Sequence, residues 1–149
     1  MELIPDWAPN IHPLLVHFPI AILTLAVSVS LLEVFLLRDW ISKSRLWLYI
    51  FGSLSAVVTV FSGKAAADSV SPPFSAEMTL SNHSDSAYVV LWYFLAFTVL
   101  QLVLPRFIKI NKKWLRIAYF LVACFGFSLL LTTGDLGAKL VYKYGVGTP

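Results

Sequence analysis

The chain contains four long apolar stretches that are almost free of charged residues. Residues 18–37 contain only Glu33, and residues 46–63, 86–104 and 117–134 contain no charge. Each stretch has about the length, roughly 20 residues, that an α-helix needs to cross the ~30 Å hydrocarbon core of a bilayer. Transmembrane β-strands are shorter and alternate in polarity, so a barrel does not fit. The pattern predicts an all-α fold, an integral membrane four-helix bundle.

The same pattern predicts where the domain and its spans lie. We expect one domain over residues 1–149. Its expected spans are residues 13–37, 46–66, 83–104 and 114–136. Composition agrees, because 58% of the residues are hydrophobic and 13% are charged, with a mean hydropathy of +0.79. A soluble domain is about half apolar and roughly a quarter charged, so this chain lacks the polar surface of that class.

The basic residues predict the orientation of the bundle. Eight of the eleven Lys and Arg residues fall between spans one and two, between spans three and four, or, for Arg116, in the first turn of span four. Because loops rich in Lys and Arg stay cytoplasmic, both termini and the middle loop should face outward. Charges placed beside spans bear on orientation rather than on nucleic-acid binding. The tryptophans expected at the inner interface are Trp40, Trp47 and Trp114.

Two further features bear on processing and redox chemistry. Residues 1–6 show no basic region and no small-residue cleavage site, so we expect the first span to be retained rather than removed as a signal peptide. Cys124 is the only cysteine and lies inside the fourth span. No intrachain disulfide can therefore form, and nothing in the sequence indicates the redox compartment.

Small or weakly polar residues recur at helical spacing along all four spans. Stripes of this kind are what packed membrane helices turn toward one another, so we expect them to be helix-packing faces. The four stripes are His17, Ala21, Thr24 and Ser28; Gly52, Ser55, Thr59, Ser62 and Ala66; His83, Ala87, Val90, Phe94 and Thr98; and Ser128, Thr132, Asp135 and Lys139.

Prolines predict local breaks in the helices. Pro13 suits the first turn of a helix, where its missing N–H would be unpaired anyway. Pro19 removes a hydrogen bond to the carbonyl of residue 15, so a bend is expected near His17. The Ser- and Pro-rich segment over residues 68–85 is expected to be a surface connection between spans two and three.

All three histidines, His12, His17 and His83, fall on the predicted outer side. Imidazole is the commonest metal ligand in proteins and can be neutral at a membrane interface. Two helical histidines at similar depth on spans one and three could hold a haem iron axially, and His17 with His83 is the expected pair. His12 lies five residues before His17, about 140° around a helix, so it shares that face only if it precedes the helix.

The imidazoles leave two other interpretations open. His17 and His83 could bind another metal such as copper or zinc, or each histidine could hydrogen-bond a carbonyl or a lipid headgroup. With no cysteine ligand and Asp135 as the one nearby carboxylate, the set is too loose for a structural zinc site. The absence of a CxxCH sequence excludes covalent haem attachment. No nucleophile elbow, phosphate-binding glycine loop or HExxH sequence indicates hydrolysis, and no residue is expected to be catalytic.

Three charged residues, Lys64, Asp135 and Lys139, lie at the expected outer ends of spans two and four. An isolated charge is costly at such a position, whereas a paired charge costs much less. We expect structural pairing, with a charge relay for protons as the alternative.

Two motifs at the ends of the chain carry a family resemblance. They are HPxxxHFPIA over residues 12–21 and GxxLVYxxGVG over residues 137–147. With these motifs the whole chain resembles a family of small bacterial four-span membrane proteins of unknown function. That family resembles in fold the cytochrome b561-like superfamily of four-helix di-haem proteins. His83 matches its histidine at the start of the third span, whereas Tyr144 stands where relatives often have histidine.

The resemblance implies a role at the outer face of a bacterial inner (plasma) membrane. It strengthens the expectation of a b-type haem, haem b, held by His17 and His83 with His12 nearby. Because family members sometimes occur fused or adjacent to c-type cytochrome modules, a c-type cytochrome or another redox membrane subunit is the expected electron partner. The alternative is a non-catalytic membrane subunit or assembly partner without cofactor. Transport of a small solute or metal is a third possibility, and it would call for a homodimer.

Overall fold

The computed structural model describes residues 10–107 and 113–147. Over these residues the chain is all α-helical, which confirms the predicted fold class. The helices are α1 (His12–Leu15), α2 (His17–Phe35), α3 (Asp39–Ser69), α4 (Phe74–Val103) and α5 (Lys113–Tyr142), and a 3-10 turn at Leu104–Arg106 follows α4.

The four long helices, α2 to α5, form an antiparallel bundle in which each helix contacts two neighbours. Both α2 and α4 pack against α3 and α5, so α2 and α4 lie diagonally in the bundle. The short helix α1 packs against α3 and α2. We call one end of the bundle the histidine end, defined by His12, Gly63, His83 and Gly137. The opposite end is the arginine end, defined by Glu33, Arg45, Gln101 and Arg116.

Four helical segments are long and apolar enough to cross a membrane, as predicted. They are His12–Phe35, Asp39–Ser69, Phe74–Arg106 and Lys113–Tyr142. The last three contain 31, 33 and 30 residues. At a rise of about 1.5 Å per residue, such helices are roughly 45 Å long and exceed a hydrocarbon core of ~30 Å. Both ends of the bundle therefore reach the polar interface of the membrane.

The first span lacks one backbone hydrogen bond beside Val16, between α1 and α2, although Val16 keeps helical dihedrals of φ −61° and ψ −27°. Pro13 lies in the first turn of α1, as expected. Pro19 has no N–H to donate to the Leu15 carbonyl, and the Thr59 hydroxyl of α3 donates to that carbonyl instead, at 3.2 Å. The α3 helix therefore replaces the hydrogen bond that Pro19 removes, and the bend near His17 stays a prediction.

Glycines allow close helix contacts at two places in the core. A Cβ at Gly52 of α3 would lie 2.5 Å from the Leu23 side chain of α2, and one at Gly126 of α5 would lie 2.4 Å from the Tyr93 ring of α4. The Tyr93 hydroxyl donates to the Val122 carbonyl at 2.5 Å, one turn before Gly126. The core around these contacts is formed by Leu23, Ala26, Val27, Tyr49, Val90, Phe94, Phe97, Tyr119, Ala123 and Leu130.

The connection between spans two and three is much shorter than predicted. The sequence predicts a surface connection over residues 68–85, whereas α3 continues to Ser69 and α4 begins at Phe74. Only residues 70–73 are non-helical. The polar residues from 81 to 85 suggest a loop, but most of them are exposed on the helix. Since this part of α4 lies near the membrane surface, its polar side chains do not need to leave a helix to reach water.

The four polar stripes do not all face the bundle. The buried members of the stripes on spans two and three are Gly52, Ala66, Val90, Phe94 and Thr98, as predicted. The exposed members on spans one and four are His17, Ala21, Ser28, Ser128, Thr132, Asp135 and Lys139, so the packing-face prediction was wrong there. Their hydroxyls bond to their own helix: Ser28 donates to the Thr24 carbonyl and Thr132 to the Ser128 carbonyl, each at 3.0 Å. Such bonds let serine and threonine face lipid without a partner helix.

Candidate functional site

The side chain of His12 is held by polar groups near the end of α3. Its Nδ1 lies 3.0 Å from the Ser62 hydroxyl oxygen. The Ser62 hydroxyl donates its own hydrogen to the Thr59 carbonyl at 2.8 Å, so Ser62 accepts from the imidazole. The neutral His12 ring therefore carries its proton on Nδ1 and keeps an electron pair on Nε2.

The side chain of His83 is held in a similar way on α5. Its Nδ1 lies 3.0 Å from the carbonyl oxygen of Thr133. A carbonyl oxygen only accepts hydrogen bonds, so Nδ1 must be the donor and Nε2 is again unprotonated. Metal-ligating histidines have this arrangement, because a donor bond from one ring nitrogen orients the ring and makes the other nitrogen more basic.

A glycine lies against each imidazole. A Cβ at Gly63 would come within 2.9 Å of Cε1 of His12, and a Cβ at Gly137 would come within 3.1 Å of Cε1 of His83. Real Cβ atoms rarely tolerate such contacts, so an alanine at either position would displace the ring. The two glycines therefore make the space in which the imidazoles lie.

The same local pattern, Thr-x-x-x-Gly, occurs on both sides of the site. Thr59 precedes Gly63 on α3, and Thr133 precedes Gly137 on α5. In an α-helix the residue at i+4 donates to the carbonyl of residue i and lies beside it. A glycine at i+4 leaves that carbonyl open to a side chain from another helix. On α5 the Thr133 carbonyl accepts directly from His83, whereas on α3 the Ser62 hydroxyl lies between the Thr59 carbonyl and His12.

His12 and His83 lie at the same end of the bundle. They come from α1 and α4, on spans one and three, and both are partly buried. His12 packs beside Gly63 of α3, and His83 packs beside Gly137 of α5. Two neutral imidazoles that each present Nε2 can act as paired nitrogen ligands at one end of an apolar bundle.

His17 does not join this site. It is exposed at the start of α2, so of the two histidines on span one only His12 is partly buried like His83. Val16 keeps helical dihedrals, so the two histidines remain about 140° apart around the helix. His12 therefore faces α3 while His17 lies on the outward face of α2.

The charged residues of the histidine end are arranged on the surface. Lys139 Nζ lies 2.6 Å from Asp135 Oδ2, one turn apart on α5, with side-chain exposures of 51% and 60%. The expected pairing is therefore present between these two, and an exposed pair of this kind contributes only about 0.5 kcal/mol or less. Lys64 is exposed and forms no ion pair within the parts of the chain that the structure describes.

Tyr144 follows the end of α5. A hydrogen bond with the Thr79 side chain is the largest cause that lowers the pKa of the Tyr144 phenol, and a hydrogen bond with Lys143 is the next. The Lys143 ammonium lies 5.1 Å from the centre of the same ring. Gly145 and Gly147 adopt φ values of 65° and 75°, a left-handed conformation that glycine reaches without strain. The two glycines therefore form the turns that follow α5.

Sequence reasoning missed the groups that hold the imidazoles. Thr59 and Ser62 were assigned to a packing stripe, and Thr133 was assigned to no motif. In spans two and four a threonine lies four residues before a glycine, Thr59 before Gly63 and Thr133 before Gly137. The span before each of them has a histidine near the same end. This shared pattern is the sequence signal for the groups that hold the imidazoles.

The fold and the site define an all-α membrane protein with four spans and a pair of imidazoles at one end. The chain belongs to the family of predicted membrane proteins DUF2231, whose family model matches residues 8–149. The predicted membership of a membrane-protein family is thereby confirmed. Comparisons with curated proteins and with solved structures found no match.

Proposed function

We propose that the chain is a redox-associated membrane subunit that binds a b-type haem between His12 and His83. The observation that best supports this proposal is the protonation of the two imidazoles. Each donates from Nδ1 to an oxygen of the protein at 3.0 Å and keeps Nε2 for a metal. The proposal changes the expected axial pair from His17 and His83 to His12 and His83.

The residues of the site fit a haem better than a metal ion without a porphyrin. The porphyrin already supplies four nitrogens, so the protein needs to add at most two axial ligands. Zinc sites take three or four ligands from the protein. Among the described residues, no group of three or more His, Cys, Asp and Glu side chains could hold a metal ion. Two imidazoles match the number of ligands that a haem requires.

In this proposal each residue has a physical role. Ser62 and the Thr133 carbonyl accept from His12 and His83, which sets the tautomer and orientation of each ring. Gly63 and Gly137 provide the space beside the rings. The apolar helices exclude water, and a bound haem would supply one-electron transfer.

The proposed role lies at the outward face of a bacterial inner membrane. The basic loops support this orientation, because the histidine end is opposite the end where most Lys and Arg residues lie. A c-type cytochrome or another redox membrane subunit would exchange electrons there.

The proposal is tested by the absorption spectrum of the chain after expression with added haem and purification in detergent. We expect a Soret band and about one haem per chain in the unmodified protein. His12→Ala and His83→Ala should each lose the spectrum of a haem with two imidazole ligands. His17→Ala is the matched control, and it should leave the spectrum unchanged because His17 is exposed. A chain without haem, or a loss confined to His17→Ala, would contradict the proposal.

A second candidate function is a membrane subunit or assembly partner without cofactor. It is favoured by the polar stripes of α2 and α5, whose exposed hydroxyl groups include Ser28, Ser128 and Thr132. A partner helix could cover these adjacent faces. Purification with a stoichiometric partner and without haem would support this alternative over the haem protein.

A further inference from the structure

Buried polar side chains from all four spans meet at the arginine end. Arg45 of α3 forms an ion pair with Glu33 of α2, with Nε 2.5 Å from Oε2. Ser42 donates to the other carboxylate oxygen of Glu33 at 2.5 Å. Arg45 also donates to the carbonyl oxygen of the Gln101 side chain on α4. Glu33, Arg45 and Gln101 are 6%, 7% and 4% exposed, so these three side chains are buried.

The fourth span completes the junction from α5. Arg116 donates from Nη1 to the backbone carbonyl of Glu33 at 2.7 Å. The Arg45 guanidinium lies 5.3 Å from the centre of the Tyr119 ring, which is one turn after Arg116. Tyr119 is 7% exposed. Arg45 is thus surrounded by groups from three other helices.

Three buried polar atoms of this junction lack a hydrogen-bond partner within the described residues. They are Nε2 of Gln101, Nε of Arg116 and the hydroxyl of Tyr119. All three can donate a hydrogen bond, and the first two can only donate. Buried donors in a folded protein normally have a partner, so a set of three around one guanidinium needs an explanation.

The charges of the junction point to the kind of partner that is needed. Among the described residues, Arg45 pairs with the Glu33 carboxylate, whereas Arg116 donates to the backbone carbonyls of Glu33 and Val34 and adds one excess positive charge. A buried charge is costly unless it is paired and hydrogen-bonded. A group that is anionic and accepts several hydrogen bonds would satisfy both the charge and the unpartnered donors.

The depth of the junction in the membrane indicates where such an anionic group comes from. Trp47 and Trp114 lie two residues from Arg45 and Arg116, and they are 57% and 62% exposed. Exposed tryptophans mark the level of the lipid headgroups. The junction therefore lies where phosphate groups are present both in lipids and in the adjoining water.

We propose that the arginine end binds a phosphate group, supplied either by inorganic phosphate or by an anionic lipid headgroup. Guanidinium groups are suited to phosphate because their N–H donors match the spacing of its oxygens. Arg116 reaches the ligand from the half-buried edge of the junction. Gln101 and Tyr119 supply the neutral donors. This site is at the opposite end of the bundle from the imidazoles and does not depend on haem.

The test uses the full chain purified in a neutral detergent, with the midpoint of thermal unfolding as the measured quantity. One arm compares inorganic phosphate with chloride at equal ionic strength. The other compares micelles containing phosphatidic acid with micelles containing phosphatidylcholine. A ligand that binds only the folded state raises the midpoint as its concentration rises. A saturable rise in the first arm alone indicates the free anion as the source, and a rise in the second alone indicates the lipid.

Three variants show whether the junction is the site. Tyr119→Phe removes one donor and should raise the half-saturating concentration by about tenfold. Gln101→Glu adds a carboxylate beside Arg45 and should abolish the response in a folded protein. Arg106→Gln is the matched control, because Arg106 is exposed at the same end and donates to the Leu102 carbonyl. No saturable rise in either arm, or an unchanged response in both Tyr119→Phe and Gln101→Glu, would overturn the proposal.

Discussion

At the scale of single residues, the position of one proton on each imidazole decides what the histidine end can do. A neutral imidazole offers either Nδ1 or Nε2 as a ligand, depending on which nitrogen carries the hydrogen. Ser62 accepts from His12 and the Thr133 carbonyl accepts from His83, so both rings present the same nitrogen. An exposed histidine such as His17 has no such constraint. The hydrogen-bond acceptors Ser62 and the Thr133 carbonyl therefore determine which ring nitrogen each histidine presents.

Enlarging the glycines beside the imidazoles should weaken haem binding. We expect Gly63→Ala and Gly137→Ala each to reduce haem affinity by about tenfold, because the new Cβ would displace the ring from its acceptor. Haem titration followed by absorbance measures the change. Gly134→Ala is the matched control on α5, since a Cβ there meets nothing within 4 Å. Equal affinity in all three variants would show that ring position does not matter.

The histidines could be predicted from the sequence, but the pair that meets could not. Residue spacing places His12 about 140° from His17 if the helix is continuous. Val16 keeps helical dihedrals, so this spacing holds and the two rings lie on different faces. Contacts with α3, such as the hydrogen bond between His12 and Ser62, determine which of the two histidines faces inward, and the local sequence does not contain them.

At the scale of helices, packing depends on a few close contacts more than on polar stripes. The number and type of the helices follow from the four apolar stretches, because lipid leaves no other way to satisfy the backbone. The sequence alone does not determine which face of each helix turns inward. The stripe on span one contains Thr24 and Ser28, which bond to carbonyls of their own helix and so do not need a partner.

The contact between α4 and α5 provides a test of this packing. We expect Gly126→Ala to destabilise the folded chain by about 1–3 kcal/mol, because its Cβ would collide with the Tyr93 ring. The free energy of unfolding can be measured by titration with a denaturing detergent. Gly134→Ala again serves as the control, and it should be neutral or slightly stabilising because alanine favours the helix. Similar stabilities for the two variants would contradict the close contact.

At the scale of the whole molecule, the two ends of the bundle have different chemistry. The histidine end has two partly buried imidazoles and exposed charges, whereas the arginine end buries an ion pair among four spans. The sequence indicates Arg38 or Arg45 as a partner for Glu33, and the structure shows that the partner is Arg45. The rest of the junction could not be predicted from sequence, because its members lie on four separate helices and share no motif.

The buried ion pair should matter far more to stability than the exposed one. We expect Glu33→Ala to cost about 3–5 kcal/mol of unfolding free energy, since it leaves the Arg45 guanidinium buried without its carboxylate. Asp135→Ala removes the partner of Lys139 on the surface and should cost about 0.5 kcal/mol or less. Denaturing-detergent titrations of both variants compare the two losses. Comparable losses would show that the arginine end is not a closed junction.

The orientation of the molecule can be tested by labelling from one side of the membrane. In a Cys124→Ala background, Ser71→Cys lies in the exposed connection between α3 and α4, and Phe107→Cys lies at the opposite end. With the basic loops cytoplasmic, a membrane-impermeant thiol reagent should label residue 71 in intact cells and residue 107 only after permeabilisation. The reverse pattern would place the imidazoles on the cytoplasmic side.

The central claim, that His12 and His83 both offer Nε2 to a ligand, is tested most directly by nitrogen NMR. The measurement records the 15N shifts and ring couplings of histidine-labelled chain in detergent without haem, at a pH where the imidazoles are neutral. We predict that His12 and His83 carry their proton on Nδ1, assigned by the loss of each signal in His12→Ala and His83→Ala, with exposed His17 as the internal reference. A proton on Nε2 of either residue would contradict the account.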